Sequence, residues 1–202
     1  MTTPRSQVPA VARLVLASTS VYRRQLLDRF RLPFTVHSPG IDESLLPNEE
    51  AITLVHRLAK AKAEAVALRY PDSVIIGSDQ VAVRGATILG KPGTAEAAVA
   101  QLKAASGAQI LFQTAVHVID PQRQHDEGHV DTTWVKFRTL TDDEISRYVQ
   151  AEKPLDCAGA FKAEALGITL FERIDCHDPT ALTGLPLIWL AGALRRAGFQ
   201  VP

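Results

Sequence analysis

The 202-residue chain has only two cysteines, Cys157 and Cys176. That excludes a disulfide-stapled framework, and two free thiols suit a reducing compartment. No C-x-x-C pair occurs, so the usual zinc signature is missing. An excess of charge of either sign is also missing: 22 Lys and Arg balance 22 Asp and Glu. A general nucleic-acid binder ordinarily carries a net basic surface, so neither nucleic acid nor a membrane surface is expected as a partner. No apolar run reaches the ~18 residues of a membrane span. The longest run, residues 185–194, is interrupted by Pro186 and Gly192. Residues 1–12 lack the apolar core of a signal peptide and read as a flexible lead-in, which makes the cytoplasm the expected location. There is no internal repeat and no low-complexity tract.

Hydrophobic residues make up 46% of the chain, enough to bury a substantial core over residues 13–202, read as a single domain. Leu14-Val15-Leu16 reads as a buried strand. Ser18, Thr19 and Ser20 then offer N-caps for a helix through Leu26, Leu27 and Phe30. Phe34 to Ser38 alternates like a strand. Residues 49–69 form a long amphipathic helix with Leu54, Val55, Leu58 and Ala65 on one stripe. Residues 73–77 read as a fully buried strand that ends by presenting Ser78-Asp79-Gln80. Val81–Val83 and Thr87–Leu89 flank Arg84-Gly85 as a hairpin. Thr94 caps a helix to about Ala105. Residues 109–119 and 130–140 read as strands joined by a polar stretch. Thr141-Asp142-Asp143-Glu144 is a capping box opening a helix to about Ala151. A strand at 168–172 and a helix at 185–197 complete an α/β domain with a mixed sheet.

Two clusters carry chemistry. In the first, a strand, a hydroxyl-rich turn and a helix start place Arg23 and Arg24 near the first helical turn. Free N–H groups and the helix dipole there favour an anion, and guanidinium forks suit phosphate oxygens. The P-loop pattern G-x-x-x-x-G-K-[ST] is absent. In the second, Asp79 projects from the end of an apolar strand, where a carboxylate can bind Mg²⁺ or take a proton from water. Lys91, on a loop stiffened by Gly90 and Pro92, is placed to meet a phosphate. His125 and His129 are too isolated to argue for a metal. Cys157 reads as a core residue without a neighbouring base.

ASTSVYRRQLL, IIGSDQVAV, ILGKP, CAGAFKAEALG and LTGLPL follow one another in this order. Together they resemble the Maf family of nucleoside triphosphate pyrophosphatases over residues 13–197. The resemblance implies an elongated mixed sheet of the Maf/ITPase type, flanked by helices, with two lobes around a nucleotide cleft. It implies cleavage between the α- and β-phosphates with a divalent cation, Mg²⁺ or Mn²⁺. It puts Asp79 at the proton acceptor, Glu43 and Asp79 at the metal, and Ser18, Arg23, Arg24, Lys62, Lys91 and Lys162 around the phosphates. Tyr22, Gln80 and Glu164 fall on the specificity triplet of the branch that hydrolyses 7-methyl-GTP.

That triplet has a physical logic. N7-methylation makes guanine cationic, which suits the face of Tyr22. Glu164 can accept from the N1–H and the exocyclic amine, and Gln80 can donate or accept. The same carboxylate would repel the acceptor edge of UTP or dTTP. Two alternatives stay open: a dTTP/UTP pyrophosphatase of the same family, and a non-catalytic nucleotide sensor in division control. A homodimer is also open. The family often has glycine where Ala115 stands, so Ala115 is expected to carry strain if that position needs a positive φ.

Overall fold

The computed structural model describes residues 13–202. The expected lead-in, 1–12, lies outside the described residues. Among the described residues seven strands form one sheet: β1 (Arg13–Ala17), β2 (Phe34–His37), β3 (Ser73–Arg84), β4 (Thr87–Leu89), β5 (Gln109–Asp120), β6 (His125–Phe137) and β7 (Phe171–Asp175). Their order is β2-β1-β3-β5-β6-β7, with β4 also paired to β3. β1 pairs in parallel with both β2 and β3, and the remaining pairs are antiparallel. Among the described residues, five α-helices pack around the sheet: α1 (Val21–Asp28), α2 (Ala51–Ala67), α3 (Ala95–Ala105), α4 (Asp142–Glu152) and α5 (Leu187–Arg196). Among the described residues, no helix is long and apolar enough to cross a membrane.

Local signals set most of the elements. Ser20 caps α1, its hydroxyl accepting from Arg23 N, and Thr94 does the same for α3. Both halves of the Thr141–Glu144 capping box form. Three readings change. β3 does not stop at Gly77: it runs on to Arg84 because β5 pairs with it continuously from Ile75 to Val83. The stretch read as a polar connection is shorter, since β6 already begins at His125. Residues 168–170 lie in a 3₁₀ turn, with the strand following at Phe171.

The continuity of β3 creates the opening that matters. On the edge opposite β5, β1 covers β3 from Ser73 to Gly77, and β4 covers it from Ala82 to Arg84. Among the described residues, 78–81 have no strand partner on that edge. Successive strand side chains face opposite sides of the sheet. Gly77, Asp79 and Val81 therefore face α2, and Ser78 and Gln80 face the other layer. The core divides accordingly. Leu54, Val55, Leu58 and Ala59 of α2 pack on Val81, Val83 and Ala115. On the other side Leu26, Leu27, Leu190 and Leu194 pack on Leu16, Val74 and Ile76. Ala115, extended within β5 and buried, has a negative φ and carries no strain.

Candidate active site

A cleft of about 790 Å³ opens at this gap in the sheet. It is lined by the β1–α1 turn, the loop before α2, the centre of β3, the β4–α3 loop, and segments 156–164 and 182–183. Asp79 stands mid-strand at the gap rather than at a strand end. The strand that does end at the cleft is β1, and its hydroxyl-rich turn follows at once.

Gly77 sets the distance between α2 and β3. A Cβ added there would fall 2.1 Å from Ala59 O and 2.7 Å from Ala63 N, so only glycine admits the helix this close. The close approach puts Lys62, on the buried stripe of α2, beside Asp79. Lys62 Nζ donates to Asp79 Oδ1 at 2.7 Å and lies 3.0 Å from Glu43 Oε1. Lys62 is 5% exposed and Asp79 7%. A buried charge needs such partners. Two carboxylates that reach one ammonium face a single point. One or two carboxylates, completed by water and other oxygens, are a donor set that a Mg²⁺-type ion takes. Glu43 and Asp79 fit that requirement. Among the described residues no cluster of three or more His, Cys, Asp or Glu side chains offers a richer set.

Arg23 enters from α1. Its Nε donates to Gly184 O at 2.9 Å, and the Ser78 hydroxyl donates to the same carbonyl at 2.9 Å. Burial pulls the Arg23 guanidinium below its ordinary pKa, while Asp79 and Glu43 pull it back up. Ser18 is buried in the turn, its Oγ accepting from Ser20 N at 3.1 Å. Lys91, on the β4–α3 loop, also lines the cleft and is exposed.

Gln80 is anchored on the far face. Its Nε2 contacts Thr114 Oγ1 at 2.9 Å, Ala181 O at 2.9 Å and Leu182 O at 3.0 Å. Two of these partners are carbonyls, which only accept, so the amide nitrogen must face them. Its Oε1 is the atom left for a ligand. Tyr22 and Glu164 line the same cleft. The Cys157 thiol donates to Tyr22 Oη at 3.7 Å. Cys157 is therefore a half-buried cleft residue, not a core one. Burial pushes its thiol up to about 11, so it is neutral and no nucleophile at physiological pH.

The model of the family described as Maf-like protein matches residues 13–197. The chain belongs to the Maf family. A relative in Aromatoleum aromaticum named 7-methyl-GTP pyrophosphatase is 53% identical over 95% of this Maf chain and 98% of its own length. Another of that name in Xanthomonas axonopodis pv. citri is 54% identical over 94% and 99%. Among solved structures, the Staphylococcus aureus Ham1 protein aligns at a TM-score of 0.44 and 17% identity, covering 75% of this chain and 88% of that one.

Of the expected site residues of this Maf chain, Ser18, Tyr22, Arg23, Glu43, Lys62, Asp79, Gln80, Lys91 and Glu164 share the cleft. Two do not join them. Arg24 is exposed and points away from the lining, because adjacent positions on a helix diverge by about 100°. Lys162 Nζ is turned to the end of α4, donating to Glu152 O at 2.8 Å. His125 pairs with Glu127, and His129 stacks on Trp189. Residue-level reading missed Ser78, Thr114 and Gly184, which hold Arg23 and Gln80 in place. The LTGLPL motif was the available signal for Gly184.

Proposed function

We propose that this chain is a pyrophosphatase hydrolysing 7-methyl-GTP to 7-methyl-GMP and pyrophosphate, in the cytoplasm. The observation that carries the reading is one cleft in which Arg23, Glu43 and Lys62 gather around Asp79 and which Tyr22, Gln80, Lys91 and Glu164 also line. The names of relatives more than 50% identical along nearly their whole length support the same substrate.

The triphosphate lies against Arg23, Lys91 and the turn bearing Ser18, where guanidinium, ammonium and backbone N–H groups meet its charge. Asp79 aligns a water opposite the leaving pyrophosphate and takes its proton as the water attacks the α-phosphorus. Lys62 holds Asp79 and Glu43 in register for this task. Glu43 and Asp79 would hold the Mg²⁺ or Mn²⁺, which when bound neutralises phosphate charge and polarises the phosphoryl group. At the base end, Tyr22 offers its face to the cationic purine. Glu164 accepts from the Watson–Crick edge, and Gln80 Oε1 is a second acceptor.

Incubating the pure protein with a nucleotide panel and Mg²⁺ or Mn²⁺ tests this. The expected result is pyrophosphate release, fastest from 7-methyl-GTP. Faster cleavage of dTTP or UTP overturns the base assignment. Orthophosphate as the product overturns the reaction class. Binding without turnover under every metal favours a nucleotide sensor.

A further inference from the structure

Glu43 sits on a loop, residues 38–50, that has no regular structure of its own. A segment this long pays conformational entropy unless something pins it. The pin is a fork on α2. Arg57 Nε donates to Glu49 Oε1 at 2.6 Å, and Arg57 Nη2 donates to Glu49 Oε2 at 2.7 Å and to Ser44 O at 3.0 Å. Within the loop, Glu49 Oε2 also accepts from Leu46 N at 3.1 Å. Asp42 Oδ1 accepts from Ser44 N at 2.9 Å and from its hydroxyl at 2.6 Å. The Glu49 side chain is 4% exposed, whereas that of Glu43 is 56% exposed. The anchor is thus packed away while the residue it serves stays open to the cleft.

α2 therefore grips two successive loop residues in different ways. Arg57 holds the backbone of Ser44, and Lys62, five positions further along the helix, holds the side chain of Glu43. Arg57 is not among the residues lining the cleft. We propose that Arg57 and Glu49 are positioning residues, fixing the loop so that the Glu43 carboxylate stands opposite Asp79 ready for a divalent cation. The inference rests on reading Glu43 and Asp79 as the metal-holding pair. A guanidinium is needed because its planar fork meets the carboxylate with two N–H groups and the carbonyl with a third, which a lysine cannot do. The Arg57 guanidinium also holds the Glu49 carboxyl down to about 2, so the clamp is charged at any physiological pH.

Mn²⁺ titration of the full-length protein, followed by the electron paramagnetic resonance of free Mn²⁺ and without nucleotide, tests the proposal. Arg57→Ala is expected to weaken Mn²⁺ binding about tenfold, the lower end of what supporting residues contribute to a metal site. Arg57→Lys recovers part of the loss. Glu49→Gln, which keeps size and shape, weakens binding in the same direction and covers the case in which Arg57→Ala fails to fold. In a Glu43→Ala background, Arg57→Ala adds nothing. Wild-type affinity in Arg57→Ala and Glu49→Gln, an equal loss with and without Glu43, or no Mn²⁺ uptake by the wild type would each overturn it. A failed substrate reading shows itself differently, as intact Mn²⁺ binding with no pyrophosphate from any nucleotide.

Discussion

Around Asp79, where we propose the phosphates lie, the buried charged groups of the cleft hold one another, whereas beside Tyr22, where we propose the base lies, Glu164 stands alone. Lys62 is shared by Asp79 and Glu43, and Arg23 is tied through Gly184 to Ser78. The loop behind Glu43 is clamped by Arg57. By contrast, Glu164 is exposed and forms no ion pair among the described residues, and the Tyr22 hydroxyl meets only a thiol. Chemistry needs its dipoles fixed before the substrate arrives, because reorganising them at the moment of reaction raises the barrier. Base selection needs a few well-placed contacts and leaves the rest of the wall free to differ. Substitutions around Asp79 should therefore cost turnover or stability, and those beside Tyr22 should redistribute preference.

The largest expected effect is that of Asp79→Asn. The amide keeps the shape and can still accept from Lys62, but it cannot take a proton. Turnover should fall by about two to four orders of magnitude with nucleotide binding largely kept, read from pyrophosphate release and calorimetric binding. Near-normal turnover would remove Asp79 as the base. Lys62→Met should act on the fold itself. It leaves the buried Asp79 carboxylate without its ammonium, a loss of about 3–5 kcal/mol by urea unfolding, with Glu43 adding little because it is half in solvent. A loss under about 1 kcal/mol would mean that water already solvates Asp79 and that this end is looser than its geometry. At the base end, Glu164→Gln should leave stability untouched and lower the preference for 7-methyl-GTP over dTTP by about tenfold in kcat/KM. The amide turns donors toward the guanine edge and loses the charge that complements its cation. An equal fall for both nucleotides would mean that Glu164 supports the chemistry and that the two ends are not separable.

These contrasts were legible in the chain to different degrees. The caps at Ser20, Thr94 and Thr141 are local hydrogen bonds between near neighbours, so sequence spacing was enough to find them. The course of β3 was not local. Ser78-Asp79-Gln80 has the composition of a turn, yet it stays extended because β5 pairs with it across some 35 residues of intervening chain. Lys62 was visible only through the family motif, although a lysine on the stripe that also carries Leu58, Ala59, Ala63 and Val66 was a sign that a buried carboxylate awaited it. Arg24 and Lys162 sit next to cleft residues in sequence and face elsewhere. Motif adjacency does not carry side-chain direction, and helix geometry does. The supports at Ser78, Thr114 and Gly184 act through backbone carbonyls from a distant segment, which no spacing rule exposes.

The smallest expected effect concerns Cys157, and it tests whether the base end is loose yet dry. Burial is the main reason its thiol is pushed up to about 11, and the Asp156 and Glu164 carboxylates add to it against the opposing hydrogen bond with Tyr22. The Tyr22 hydroxyl is raised as well, again mainly by burial. Both groups are therefore neutral near pH 8, where a thiol of that pKa is thiolate to about one part in a thousand, against roughly a quarter for an ordinary cysteine. Alkylation of Cys157 by iodoacetamide, followed by peptide mass mapping, should be about a hundredfold slower at pH 8 than that of a free thiol, and should climb toward pH 11. Because S–H is a weak donor, Cys157→Ala should change kcat/KM for 7-methyl-GTP by less than about threefold. Reaction of Cys157 at the rate of a free thiol at pH 8 would mean that water reaches the back of Tyr22. The stacking face would then be wet, a cation–π contact there would be worth far less than a desolvated one, and selectivity would have to rest on Glu164 and Gln80 alone.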